Sequence, residues 1–182
     1  MMSLDSLADQ PLPTGGAPID VATGLVNADG FTDLVTLTND GQVTVALNAG
    51  DDRWGSVSTI DLHSLAAGSW TANGFALSLF NSDPFADLAV QSSDGVRVFV
   101  GDGAGGFSFA TMLPALSSGD FAPAGGGRVG LTATTVNSDF AADLIVASPQ
   151  TDEVLLYVGH GDGSFTSPVR CGTAAERTSR ST

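Results

Sequence analysis

The segment Leu25-Val-Asn-Ala-Asp-Gly-Phe-Thr-Asp33-Leu34 recurs as Leu79-Phe-Asn-Ser-Asp-Pro-Phe-Ala-Asp87-Leu88 and again as Thr135-Val-Asn-Ser-Asp-Phe-Ala-Ala-Asp143-Leu144. The spacing is 54 residues from Asn27 to Asn81 and 56 from Asn81 to Asn137. A second landmark keeps step with the first: Leu47-Asn-Ala-Gly-Asp-Asp-Arg-Trp54, Val100-Gly-Asp-Gly-Ala-Gly-Gly-Phe107 and Val158-Gly-His-Gly-Asp-Gly-Ser-Phe165. Two markers in register indicate an internal repeat whose single units cannot bury their own apolar faces.

Between the landmarks the apolar period is two, with Val43, Val45, Leu47 answering Val96, Val98, Val100 and Val154, Leu156, Val158. That period predicts strands. In the first unit they are expected at Ile19–Leu25, Leu34–Thr38, Gln42–Leu47 and Val57–Asp61. The nearest helical candidate, Leu62–Trp70, is interrupted by Gly68. The fold class expected is all-β: four-stranded antiparallel sheets in three repeats of about 55 residues, stacked as β-propeller blades. The divisions are an N-terminal linker or remnant at 1–18, units at 19–72, 73–126 and 127–170, and a disordered tail at 171–182. Three blades do not close a ring, since propellers have about four to eight. The chain is therefore expected to need further blades, from a longer chain, a partner or self-association.

The Asn-x-Asp-Gly-Phe-x-Asp-Leu loop with its glycine-rich turn and following aromatic resembles the FG-GAP repeat of integrin α-subunit propellers and its bacterial VCBS relatives. The resemblance runs roughly from Ile19 to Val169. It implies a calcium-assisted binding or adhesion module, extracellular or at the cell surface, that recognises a protein or carbohydrate. It also implies oxygen ligands at alternate loop positions, a pattern that suits calcium. In the first loop these are Asn27, Asp29, the Phe31 carbonyl and Asp33; in the second Asn81, Asp83, the Phe85 carbonyl and Asp87; in the third Asn137, Asp139, the Ala141 carbonyl and Asp143. The family's first Asp is replaced by Leu25, Leu79 and Thr135, and its turn glycine is kept only at Gly30, with Pro84 and Phe140 elsewhere. Affinity is accordingly expected at ~10⁻⁴ to 10⁻³ M, best in the first loop. Asn and Asp also hold tight turns without any metal, so a metal-free structural role stands as the alternative.

Composition narrows the partners. The 182 residues carry six basic side chains, all Arg, against eighteen Asp and two Glu, a formal net charge of −14. Such a surface repels nucleic acid and anionic membrane, although halophilic adaptation also produces acidity. Cys171 is the single cysteine and forms no intramolecular disulfide. Residues 1–18 lack a basic start and an apolar run, so no signal peptide is read there, and no stretch approaches the ~20 apolar residues of a membrane span.

Catalytic patterns are weak. Gly101-Asp-Gly-Ala-Gly-Gly106 matches the dinucleotide pattern G-x-G-x-x-G, but the residues after it read as a strand rather than the helix that pyrophosphate needs. His63 and His160 have no Cys partner for zinc and are expected at the surface. His160 beside Asp162 sits in a turn too rich in glycine to hold acid–base geometry. Trp54, Phe107 and Phe165 are expected to pack between units; Trp70 is the better candidate for ligand stacking, although packing is the stronger expectation for it too. No enzyme activity is expected, with a propeller enzyme whose site lies in missing blades as the remaining alternative.

Overall fold

A computed structural model describes residues 12, 14–50, 53–115, 121, 130–149 and 151–172. They form three four-stranded antiparallel sheets and one short helix. The first sheet contains β1 (Pro18–Gly24), β2 (Asp33–Thr38), β3 (Gln42–Asn48) and β4 (Trp54–Asp61). The second contains β5 (Ala72–Ser78), β6 (Asp87–Ser92), β7 (Gly95–Gly101) and β8 (Phe107–Pro114). The third contains β9 (Leu131–Thr134), β10 (Asp143–Ser148), β11 (Glu153–Tyr157) and β12 (Val169–Gly172). Each sheet is a meander whose strands pair in chain order. Among the described residues no helix is long and apolar enough to cross a membrane.

The register is the same at the same landmark. Gly24 faces Asp33, Ser78 faces Asp87 and Thr134 faces Asp143 where the first two strands of each sheet meet. Across the glycine-rich turn Asn48 pairs with Trp54, Gly101 with Phe107 and Gly159 with Phe165. That pairing starts β4 at Trp54, three residues before the expected Val57.

Alternation along the strands decides what each face touches. Val35 and Leu37 of β2 point into one core together with Leu88 and Val90 of β6. Ala89 of β6 points the opposite way, into a second core with Leu144 and Val146 of β10. The sheets thus stack in sequence, β5 lying beside β1 and β9 beside β5. The Asp20 carboxylate reinforces the first contact by accepting the Phe75 N–H at 3.0 Å.

The segment Leu62–Trp70 makes one helical turn, α1 (Leu62–Leu65), capped by the Asp61 side chain, which accepts the His63 N–H at 3.0 Å. It ends ahead of Gly68, whose φ of 124° is not helical. At the N-terminus, Gly15 and Gly16, within the span expected as a linker or remnant of a preceding unit, lie against Thr38, Thr44 and Thr59 of the first sheet. At the other end, Cys171 and Gly172, expected in the tail, pair with Val154 and Glu153 as part of β12. The rest of the expected tail, residues 173–182, lies outside the described residues.

Candidate recognition loops

The three Asn-x-Asp loops join the first two strands of each sheet and close by the same hydrogen bonds. In the first, Asn27 Nδ2 donates to Asp29 Oδ2 at 2.8 Å, Asn27 Oδ1 accepts the Asp29 N–H at 3.2 Å, and Asp29 Oδ1 accepts the Phe31 N–H at 2.8 Å. Asn81 and Asp83, with the Phe85 N–H, repeat the pattern at 2.8, 2.9 and 2.9 Å. Asn137 and Asp139, with the Ala141 N–H, do so at 2.7, 3.0 and 3.0 Å. These are turns made by short polar side chains bonding to backbone two residues on, a geometry that local sequence alone specifies.

The last Asp of each loop faces the other way. Asp33, Asp87 and Asp143 are fully buried. Asp33 accepts the N–H of Val26 at 3.0 Å and of Asn48 at 2.8 Å. Asp87 accepts those of Phe80, Asn81 and Gly101 at 2.7, 3.1 and 2.9 Å. Asp143 accepts those of Val136 and Gly159 at 2.7 and 2.9 Å. Each carboxylate ties the entrance of its loop to the first residue of the glycine-rich turn, the physical reason the two sequence landmarks travel together. Burial pushes the Asp87 carboxyl above its ordinary value against the pull of its three amides, and the Asp83 charge adds to the rise.

For calcium, the donor set is therefore smaller than the loop pattern implies. Asp29 retains lone pairs beyond those its two N–H partners use, and the Asn27 and Phe31 carbonyls stand in the same turn. Asp33 directs both oxygens at backbone amides. Among the described residues no group of three or more His, Cys, Asp or Glu side chains is placed to hold a metal ion. Asp29 and Asp33 each accept one N–H on each carboxylate oxygen, but Asp29 is exposed whereas Asp33 is fully buried.

The loop aromatics divide in a way the sequence motif did not reveal. Phe31 and Phe85 lay their rings on Gly50 and Gly103; a Cβ at Gly103 would lie 2.5 Å from the Phe85 ring. In the third loop the aromatic stands one position earlier. Ala141 occupies the packing position, and Phe140 takes a left-handed conformation (φ 65°) with 92% of its surface exposed. A bulky side chain in that region is uncommon and costs of order 1–3 kcal/mol. Phe140 borders a cleft of about 300 Å³ between the second and third loops, lined also by Leu79, Asn81, Asp83, Asp139 and His160. A similar cleft of about 280 Å³ lies between the first two loops, at Leu25, Leu77, Leu79 and Pro84. Leu25 and Leu79, at the first position of their loops, are exposed apolar walls of these clefts. The signal available in the sequence was an apolar residue opening a polar loop.

The remaining candidates sort by contact. Trp70, the stacking candidate for which packing is the stronger expectation, is buried: its Nε1 donates to the Ala66 carbonyl at 3.4 Å, and the Arg97 guanidinium lies 4.5 Å from the centre of its ring. His63 is half-buried rather than superficial, with its ring edge-on to Trp70 at 4.4 Å. His160 is exposed. Phe165 packs edge-on against Phe80 of the neighbouring sheet at 5.5 Å, and Phe107 is buried in the first core. Trp54 is half-buried. The turn at Gly101–Gly106 leads into β8, and Asp102 Oδ1 fills it by accepting the Ala104 and Gly106 N–H groups, both at 2.8 Å. A carboxylate thus occupies the place a phosphate would need.

No family model matches the chain, and no curated protein matches it. Among solved structures, a chain of the Photorhabdus luminescens Tc holotoxin pore is similar at 20% identity with a TM-score of 0.47. The match covers 90% of this chain and 8% of that one. Likeness at this level establishes neither family nor function.

Proposed function

We propose that the three sheets are blades of an FG-GAP/VCBS-type propeller and that the chain is a non-catalytic binding or adhesion module whose loops meet a protein or carbohydrate. The observation that carries this reading is Phe140, displayed at the edge of the cleft at a backbone cost. Such strain persists where the surroundings enforce it and concentrates at ligand-contacting positions. Scaffolds that recognise ligands through loops on rigid sheets combine one aromatic anchor with fixed polar groups, and here Asn81, Asp83 and Asp139 are fixed by their own turns. The same commitment of the loop carboxylates to structural bonds supports a role without catalysis. The acidic surface favours protein or sugar over nucleic acid or anionic membrane. The extracellular or cell-surface setting rests on the family resemblance alone.

Phe140→Gly tests this reading, because glycine adopts φ 65° without strain. Thermal melting is expected to show the variant more stable by about 1 kcal/mol. On glycan and protein arrays the wild-type chain is expected to be retained and the variant lost. Retention of the variant equal to wild type would place recognition away from this cleft.

Calcium belongs to the proposal as a weak ligand of Asn27, Asp29 and the Phe31 carbonyl. The closed hydrogen bonding of the loops favours a second reading in which they need no metal. Titration separates the two. Calcium at ten times a millimolar-range Kd stabilises by about 1.4 kcal/mol, a rise of a few degrees in Tm that EDTA reverses and Asp29→Ala removes. Asp29 is the residue to change, since substitution of Asp33 would also break the fold. An unchanged Tm leaves the metal-free reading.

A further inference from the structure

We infer that the outer face of the third sheet is a docking surface for the first sheet of a second copy of this chain. Inside the chain one kind of contact is made twice. The first sheet offers Val35 and Val43 to the second, and the second offers the equivalent Ala89 and Val96 to the third; all four are fully buried. The third sheet carries Ile145 and Val154 at the same positions, and Val154 is 38% exposed. Val169, which shares that face through its pairing with Leu156, is 54% exposed.

The loop entrances repeat the contrast. The carbonyls of Val26 and Phe80 accept the N–H groups of Gly105 and Gly163 from the following sheet, at 3.1 and 2.8 Å, and both residues are 1% exposed. Val136, at the same position of the last sheet, is 44% exposed.

The opposite end of the chain carries the complementary face. Phe75 and Leu131 pack against the preceding sheet, whereas their equivalent in the first sheet, Val21, is 59% exposed. Val57 shares that face through Ala46 and is also exposed. Gly15 and Gly16 lie at its far end, by Thr38, Thr44 and Thr59, and Thr36, Thr44 and Ala46 in its middle are buried, so its exposed apolar part is the two edges at Val21 and Val57. At Val21 and Val57 the chain therefore presents the edges of the counterpart to a contact that it already makes internally. Joining unlike faces is a heterologous association, which closes into a ring or grows as a filament. Each copy carries a formal charge of −14, so the apolar contact has to overcome repulsion that salt screens. The inference uses the propeller reading only in treating the internal contact as a repeating step.

Sedimentation equilibrium of the full chain, with reductant, tests it using Val154→Glu and Val57→Glu. The expected result is a wild-type mass that rises with protein concentration and with salt, while each variant alone stays monomeric. An equimolar mixture of the two is expected to give a one-to-one dimer and nothing larger, because each variant keeps the face the other has lost. Should either variant fail to fold, a bulky maleimide on exposed Cys171, which pairs with Val154, is expected to block association of the wild-type chain. A wild type that stays monomeric at about 0.1 mM, well above the Kd of specific interfaces, overturns the inference. So does a Val57→Glu chain that self-associates like wild type, which would mean symmetric contact between third sheets. Either outcome leaves the Phe140 and calcium tests unaffected.

Discussion

Asp87→Ala is expected to cost about 4 kcal/mol, because it strands three N–H groups, each worth about 1–3 kcal/mol when buried without a partner. For a chain of this size that corresponds to a fall in Tm of about 8–16 °C. The three donors are Phe80, Asn81 and Gly101, and the loop's other carboxylate, Asp83, is engaged by Asn81 Nδ2 and the Phe85 N–H. Asp87→Asn keeps the shape but turns an amino group towards one set of donors, so about 2–3 kcal/mol is expected. Urea unfolding of both variants checks the order. A loss below about 1 kcal/mol for the alanine variant would mean that Asp87 does not hold the loop to the turn.

The pH dependence has a defined sign. Burial raises the Asp87 carboxyl above 3.8 in the folded chain. In the window just above that value the folded chain binds more protons than the unfolded one, so this group's contribution falls as pH rises. The proton-linked part of its contribution is complete below 3.8 and lost above the folded value, while its oxygens go on accepting the three N–H groups. Asp94 works in the opposite direction: hydrogen bonding to Arg97 holds its carboxyl below the usual range, so its contribution is lost as pH falls. Comparing wild type with Asp87→Asn from about pH 4 to pH 7 isolates the first effect, since Asp94 is present in both. An unchanged pH slope in the variant would contradict the burial-driven rise.

Arg97→Ala is expected to cost about 3 kcal/mol, divided between charged hydrogen bonds, cation–π contact and packing of the stem. The guanidinium is buried, grips Asp94 with two bonds of 2.7 and 3.0 Å, donates to Ser92 Oγ at 2.5 Å and covers Trp70. Asp94 is half exposed, so the ionic part is screened and the contact with Trp70 carries more of the loss. Arg97→Lys retains the charge but not the fork or the flat face, and about 2 kcal/mol is expected. Tryptophan fluorescence offers the decisive readout. Uncovering Trp70 shifts its emission to the red in both variants. Unchanged emission would show that Arg97 does not hold the link between the first two sheets.

Much of the fold was legible because its signals are local. The alternation at Val43, Val45 and Leu47 is enough for a strand with two unlike faces. The Asn-x-Asp turns close over two residues, so the motif and the structure coincide. The roles of individual loop residues were less legible. Asp33, Asp87 and Asp143 read both as loop ligands and as residues that pin the loop, but the amide partners at Asn48, Gly101 and Gly159, about fifteen residues away, could not be named from the motif. For Trp70 packing was the favoured reading, but its cover, Arg97, comes from the next sheet and could not be named from local sequence.

The sequence by itself determined the strands, their landmarks and the turns, since each depends on neighbours within a few bonds along the chain. Only the tertiary structure decided which way each carboxylate faces, that a one-position shift leaves Phe140 in solvent, and which sheet faces remain open. Those outcomes depend on contacts between residues distant in the chain, where burial and donor geometry outweigh local preference.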